Sequence, residues 1–188
     1  MSKEKKTRVC SVENAGGLDN SIRKFLQNPQ KIVKPFINEG MSVLDLGCGP
    51  GVFTIEIAKM LNNSGKVIAA DLQEGMLDKI RQKISGTELE KLITLHKCLE
   101  ESVGVVEKVD FILAFYMIHE VPNQDKLFGE LLSILNPNGL IFIVEPKFHV
   151  PKKSFELMVD KLKNMGLNIV DRPKVFFSRS VVLTKKEL

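Results

Sequence analysis

The sequence predicts an α/β domain: a seven-stranded sheet, parallel with one antiparallel edge hairpin strand, and helices on both faces. Three observations carry this expectation. Short apolar runs of strand length recur between segments with helical spacing. Clusters of Gly, Asn and Pro separate them, as at Asn62-Asn63-Ser64-Gly65 and Asn136-Pro137-Asn138-Gly139. The last two apolar runs have only Asp171-Arg172-Pro173 between them, enough for a turn but not for a helix. Alternation of strands and helices implies a parallel sheet covered on both sides, and the final pair should close as an antiparallel hairpin.

The elements follow in order. Leu18 to Gln27 reads as a short helix, and a second short helix ends near Glu39-Gly40, where glycine suits a terminus. Met41 to Leu46 is the first strand, and Val52 to Leu61 has helical spacing. Lys66 to Ala70 is a strand ending at Asp71, followed by a helix over Glu74 to Ile84. Leu92 to His96 and Val109 to Tyr116 are strands, the latter apolar almost throughout, as a strand buried on both faces should be. A helix over Gln124 to Leu135 stops at the Asn-Pro-Asn-Gly cluster, and Leu140 to Glu145 is the next strand. Lys153 to Met165 is a helix capped by Gly166; Leu167 to Val170 and Val175 to Leu183 are the hairpin strands.

Composition narrows the function classes. At 188 residues and 44% hydrophobic content the chain suits one globular domain, and not a disordered or low-complexity segment. The net charge of +4 sits at the two ends: Lys3, Lys5, Lys6 and Arg8 against Glu4, and Lys185 and Lys186 against Glu187. A balanced body with five Arg and no Trp argues against a broad nucleic-acid surface. The longest apolar run, Phe111 to Ile118, is far short of the ~20 residues that cross a bilayer, so no membrane association is expected. No apolar stretch follows Lys3 to Arg8 as a secretory leader requires. Three widely spaced cysteines, Cys10, Cys48 and Cys98, suit a reducing compartment, and the expected location is cytoplasmic. Oligomeric state has no signature in this sequence.

Ligands of parallel sheets bind outside the carboxyl ends of the strands, where strand order reverses. That places the candidate face at Asp45 to Gly51, Asp71, Cys98, Phe115 to Glu120 and Glu145 to His149. The strongest motif is Val43-Leu44-Asp45-Leu46-Gly47-Cys48-Gly49-Pro50-Gly51. Alternating glycines between a strand and a helix let a ligand approach the backbone. Asp71 ends the next strand, 20 residues beyond Gly51, and a carboxylate there can accept both hydroxyls of a ribose. The ligand is therefore expected to be a nucleoside. The third glycine of a dinucleotide fingerprint would fall on Val52 or Thr54, which disfavours a nicotinamide-dependent reductase, and no Gly-Lys-Ser/Thr follows for a P-loop.

This motif, with Asp71, the Leu135-Asn136-Pro137-Asn138-Gly139 turn and the terminal hairpin, resembles the Rossmann-like class I S-adenosylmethionine (SAM)-dependent methyltransferases, closest to the small-molecule enzymes of the type 11 group. The resemblance spans roughly Asn28 to Thr184. It implies that SAM is the cofactor, with S-adenosylhomocysteine as product. It implies that Gly47, Gly49, Pro50 and Gly51 line the methionine part of SAM and that Asp45 organises the loop. Asp71 would take the ribose hydroxyls, Leu72 and Met76 would pack on adenine, Cys98 and Leu99 would meet the adenine edge, and the Phe115 backbone would face the methionine ammonium group. Residues 1–40 would form a helical extension over the pocket and 41–188 the SAM-binding domain. Cys10, Glu13 and Asn14 could then reach the site, with Ala15-Gly16-Gly17 as a hinge or a passive cover.

For the reacting centre, His119 and His149 follow strands on the ligand face, and His96 lies within a strand as a structural residue. A histidine titrates near neutrality and can take the acceptor's proton, oriented by Glu120 or Glu145. His119, His149 and Glu145 are the catalytic candidates. Two imidazoles and a carboxylate also suit zinc or iron, but no short His spacing supports a site, and no metal is expected. The third reading is that these side chains bond the loop backbone. Tyr116, Glu120, Cys10 and Arg179 are the substrate candidates. The expected reaction is methyl transfer from SAM to an O, N, S or C nucleophile of a small molecule. The alternatives are a SAM-binding regulatory module without turnover and an RNA or protein methyltransferase. The latter is disfavoured because Phe115-Tyr116-Met117-Ile118 replaces the Asn/Asp-Pro-Pro-Tyr motif of base methylation.

Overall fold

The computed structural model describes residues 28–186. The expected Leu18–Gln27 helix, the Ala15-Gly16-Gly17 hinge, and Cys10, Glu13 and Asn14 lie outside the described residues. In chain order the elements are α1 (Pro29–Val33), a 3₁₀ turn (Lys34–Phe36), β1 (Ser42–Leu46), α2 (Val52–Met60), β2 (Lys66–Asp71) and α3 (Glu74–Ile84). A 3₁₀ turn (Glu88–Lys91), β3 (Ile93–Lys97), β4 (Val109–Phe115), a 3₁₀ turn (Ile118–Glu120) and α4 (Gln124–Ile134) come next. The chain then forms β5 (Leu135–Pro146), α5 (Lys152–Asn164), β6 (Leu167–Asp171) and β7 (Ser178–Lys185). Among the described residues no helix is long and apolar enough to cross a membrane.

The seven strands form one sheet in the order β3-β2-β1-β4-β5-β7-β6. All pairs are parallel except β5–β7 and β6–β7. The hairpin is present, but its antiparallel strand β7 lies one place in from the edge, and β6 is the edge strand. Register runs unbroken across the centre, from Thr94 through Ile68, Leu44, Ile112, Ile141 and Leu183 to Ile169.

Side-chain alternation divides the core into two layers. Leu44, Ile68, Ile112, Ile141 and Leu183 point to the face covered by Phe128 of α4 and Phe155 of α5. Their neighbours Val43, Val67, Phe111, Phe142 and Val182 point to the other, covered by Ile57 of α2 and Leu77 and Ile80 of α3. Val33 and Ile37 join this second layer, so residues just before β1 share the sheet's core. The helices form where apolar spacing permits. In α3 the buried Met76, Leu77, Ile80 and Ile84 make one stripe, with Glu74 in the first turn and Arg81 and Lys83 in the last. That charge order complements the helix dipole.

Three local expectations differ from the structure, each for a tertiary reason. The alternation lapses between β3 and β4, where residues 98–108 hold a Leu99–Ser102 bridge and no helix. This loop is pinned by Glu130, which accepts hydrogen bonds from Ser102 Oγ (3.1 Å) and Val103 N (2.7 Å). The Asn136–Gly139 cluster is a bulge inside β5 and not a stop before it: Val109 pairs with Leu135, and Phe111 with Leu140. Asn136 Nδ2 donates to Asp110 Oδ1 at 2.7 Å, and Asp110 Oδ2 accepts Ser42 N at 2.9 Å, so the bulge is tied to β4 and β1. Finally, β7 starts at Ser178 and not Val175. Phe177 takes a left-handed conformation (φ 51°), which ends the ladder before Ser178.

The core packing gives a direct prediction. Phe128→Ala, at a fully buried position under the sheet, should cost about 3–5 kcal/mol. Urea denaturation should show a lower midpoint with an unchanged slope.

Candidate active site

The chain leaves β1 for β2 and β3 on one side and crosses back to β4 on the other, so strand order reverses between β1 and β4. The glycine loop follows β1 at this point. Its backbone is fixed to β2: Gly47 N and Cys48 N both donate to Ala70 O, at 2.8 and 3.1 Å. Gly47 (φ 67°) and Gly51 (φ 82°) need glycine twice over, for backbone and for space. A Cβ on Gly47 would lie 2.8 Å from Met117 Cβ, and one on Gly51 would lie 2.7 Å from Ile80 Cγ1. At Gly49 a Cβ would meet nothing within 4 Å, so this part of the loop presents open backbone.

Two buried carboxylates hold the loop. Asp71 Oδ2 accepts Gly49 N at 2.9 Å, and Oδ1 accepts Gln73 N at 2.8 Å. Each oxygen keeps a lone pair for a further donor. Burial raises the Asp71 carboxyl above its usual value, against the pull of these hydrogen bonds and of Lys97. Asp45, 2% exposed, accepts the Thr54 hydroxyl at 2.5 Å. Burial pushes its pKa up to about 6; the Thr54 bond lowers it and the Asp71 charge raises it. Cys98 lies beside Asp71, its N–H donating to Asp71 O at 2.9 Å. Burial, then the Asp71 charge, pushes the Cys98 thiol up to about 11, and Cys48 is also raised well above its ordinary value by burial. Both thiols are thus held protonated and are poor nucleophiles. Met76 is buried, Leu72 half-buried and Leu99 exposed.

A second constellation stands at the ends of β4 and β5. Glu145 is 1% exposed. Its Oε1 accepts Ile118 N at 2.9 Å, and its Oε2 lies 2.5 Å from His119 Nδ1. Of the two acids considered from sequence, Glu145 holds the ring, and the Glu120 charge also raises the His119 pKa. The His119 pKa is raised, chiefly by the Glu145 hydrogen bond, against partial burial. The 3₁₀ turn Ile118–Glu120 turns His119 back onto β5, and His149 stands with its ring centroid 5.5 Å from that of His119. His96 is taken up by the Val103 carbonyl at 2.7 Å. Arg179 Nε donates to Val150 O at 3.0 Å, so its guanidinium anchors the loop that carries His149. Among the described residues no group of three or more His, Cys, Asp or Glu is arranged to hold a metal ion.

Sequence reasoning missed Ser178. Tyr116 also has a left-handed backbone (φ 61°), and its hydroxyl lies 2.5 Å from Ser178 Oγ. Ser178 Oγ itself donates to Phe176 O at 2.9 Å, so the Tyr116 hydroxyl is the donor in the pair. Phe115 packs between Tyr116 and Phe53, with centroids 4.4 Å away on each side. The only sequence signal for Ser178 was a polar residue near the start of an apolar hairpin strand.

Comparison with known proteins matches residues 37–183 to a family model described as a methyltransferase domain. The chain is 31% identical over 163 residues to the demethylmenaquinone methyltransferase of Lactobacillus johnsonii, covering 82% of this chain and 65% of that protein. It spans between 46% and 67% of the length of the curated demethylmenaquinone methyltransferases it matches. The crystal structure of a SAM-dependent methyltransferase from Aquifex aeolicus superposes with a TM-score of 0.83 at 26% identity, covering 94% of this chain and all of that one. The fibrillarin pre-rRNA processing protein of Methanococcus jannaschii shares the fold at a TM-score of 0.66 and 20% identity, over 79% of this chain and 68% of that one.

The buried Asp45 sets a pH dependence of stability. Folded Asp45 keeps its proton to about pH 6, whereas an unfolded aspartate releases it near pH 3.8. Between these values the folded state binds more protons, so this residue's contribution falls as pH rises. Relative to the parent, Asp45→Asn should gain on the order of 2–3 kcal/mol between pH 3.5 and pH 7. Parallel urea titrations of the two proteins at each pH would measure it, and a constant difference would contradict it.

Proposed function

The chain belongs to the class I SAM-dependent methyltransferases, and from that premise we propose that it methylates a nucleophile of a small molecule, with His119 as proton acceptor and Glu145 as its positioning residue. The observation that carries the reading is the His119–Glu145 pair at the carboxyl ends of β4 and β5, beside the crevice that the glycine loop borders. The likeness to the demethylmenaquinone methyltransferase of Lactobacillus johnsonii supports a small-molecule acceptor.

The residues present fit the cofactor. The open backbone at Gly49 admits a close ligand, and the spare lone pairs of Asp71 suit a ribose diol. When bound, SAM supplies a sulfonium-activated methyl group. This chain's own work is then to orient the acceptor and take its proton. Glu145 accepts the Nδ1 proton of neutral His119, which leaves Nε2 as the basic nitrogen. A hydroxyl, thiol or ammonium proton would pass to Nε2, and the resulting imidazolium would stay paired with Glu145. With their thiols held protonated, Cys48 and Cys98 take no nucleophilic part.

Three outcomes test this reading. In calorimetry, S-adenosylhomocysteine should bind the parent protein, and Asp71→Ala should weaken it at least tenfold. In an acceptor screen with labelled SAM, His119→Ala should lower kcat about 10²–10⁴-fold with donor affinity retained. Donor binding without any transferred label across the screen would favour a SAM-binding module without turnover. The rate should rise with pH through a His119 pKa above 6.5, because only the neutral ring accepts a proton. Glu145→Gln removes the main cause of that raised pKa, so the acidic limb should move to lower pH as kcat falls. An unmoved limb would sink the positioning role. The same pair has a stability sign: its contribution is complete below pH 6.5 and is lost as pH rises through the raised pKa of folded His119.

A further inference from the structure

We propose that the methyl acceptor is an aromatic compound bearing an anionic group, received between two aromatic walls and a rim of exposed lysines. The inference rests on the acceptor site proposed at His119. The first wall is a chain of rings: Phe148, 73% exposed, lies 4.8 Å from His149, which lies 5.5 Å from His119. The second begins with Phe176 and Phe177, centroids 4.8 Å apart, and continues through Ser178 to Tyr116 and Phe115. The two are joined where Lys147 N donates to Phe177 O at 3.1 Å. A ring set between walls of this composition gains area burial and stacking, which select aromatic over aliphatic compounds.

Phe177 carries the strongest sign of use. It is 62% exposed and its backbone is left-handed, a conformation that strains a bulky residue. Folding gains little from a ring left in water, and glycine would fill the turn without strain. Phe148 is likewise exposed on a loop that Arg179 holds in place. Three exposed phenyl rings at one edge of a sheet mark a binding surface more than they mark a core.

Charge narrows the ligand further. Lys147, Lys152, Lys153 and Lys174, on the chain segments that carry or adjoin these rings, are exposed. None of the four pairs with a carboxylate among the described residues, whereas Arg172 nearby is forked onto Glu156 at 3.0 and 2.8 Å. The first turn of α5, where Lys152 and Lys153 stand, contains no acid. This unneutralised rim favours an anion and repels a cation. The geometry disfavours single-stranded nucleic acid: Phe148 meets His149 at 74° and Phe176 meets Phe177 at 68°, edge to face, so they offer no parallel platform for successive bases.

The test uses the full chain and two probes of matched shape, anionic 1-anilinonaphthalene-8-sulfonate and uncharged N-phenyl-1-naphthylamine, followed by fluorescence titration. The expected result is saturable one-to-one binding of the anion, at least fivefold tighter than the uncharged probe and weakened by salt. Phe177→Gly should raise its Kd about tenfold while the melting temperature holds or rises. The double change Lys147→Gln and Lys174→Gln should raise the Kd several-fold and flatten the salt dependence. Equal affinity for both probes, or anion binding indifferent to these variants, overturns the proposal. Displacement of the bound anion by a single-stranded RNA 20-mer at lower concentration overturns it in favour of nucleic acid. Calorimetry with S-adenosylhomocysteine on the same samples separates the failures, since intact donor binding with failed probe binding removes only the acceptor class.

Discussion

A carboxylate taken out of water must be met by hydrogen bonds, and that requirement shapes both halves of the site. Asp71 ends β2 at the buried edge of the sheet, and its two oxygens draw in the N–H groups of Gly49 and Gln73. The glycine loop and the turn into α3 are therefore positioned by one side chain. Glu145 plays the equivalent part near the end of β5, where its oxygens take Ile118 N and the His119 ring. If either acid were apolar, two backbone or ring donors would lose their partner, and the loop carrying them would lose its reason for that path. Among the described residues no Lys or Arg ion pair is seen at either acid, and hydrogen bonds to Gly49, Gln73, Ile118 and His119 keep these groups in place.

The glycine-loop geometry was legible because its determinants are local. A strand, three alternating glycines and an acid at the end of the next strand lie within 30 residues, and each imposes a backbone requirement visible in its residue type. Helix α3 was equally plain, since apolar stripe and charge order agree along it. The acceptor-side half depends on contacts 26 to 62 residues apart. His119 could have been oriented by Glu120 or Glu145, and only the pairing of β4 with β5 brings Glu145 within reach. Ser178 meets Tyr116 because β7 inserts beside β5, and the hairpin pattern alone does not say which of its two strands takes that place. The bulge at Asn136–Gly139 read as a stop for the same reason: its turn residues are real, but Asp110 of a neighbouring strand holds them in the ladder.

The two halves also differ in how they spend conformational strain. On the donor side every left-handed position is a glycine, so the loop takes its shape at little steric cost. On the acceptor side Tyr116 and Phe177 adopt the same backbone region with large aromatic side chains. Both flank Ser178, in space or in sequence, and the Tyr116–Ser178 hydrogen bond links the strained turn after β4 to the strained turn before β7. Strain of this kind persists only when surrounding contacts over-determine it. Here those contacts are the Tyr116 N–H bond to Val144 O at 2.8 Å and the Phe177 carbonyl bond to Lys147.

This division explains how one fold can keep its donor and change its acceptor. The side proposed for the donor consists largely of backbone groups and one carboxylate, fixed by the parallel core of β1, β2 and β4. Substitutions there meet packed neighbours, as the 2.7 Å approach to Ile80 at Gly51 illustrates. The acceptor side is built from side chains on the turn after β4, the loop after β5 and the turn before β7. Of these, Phe148, Phe176, Phe177 and the lysines are exposed, so they can be exchanged without reopening the core. The His119–Glu145 pair sits between the two regimes. Its acid belongs to the buried sheet and its imidazole reaches toward the exposed loops, so the proton removal proposed for His119 would start from a rigid origin.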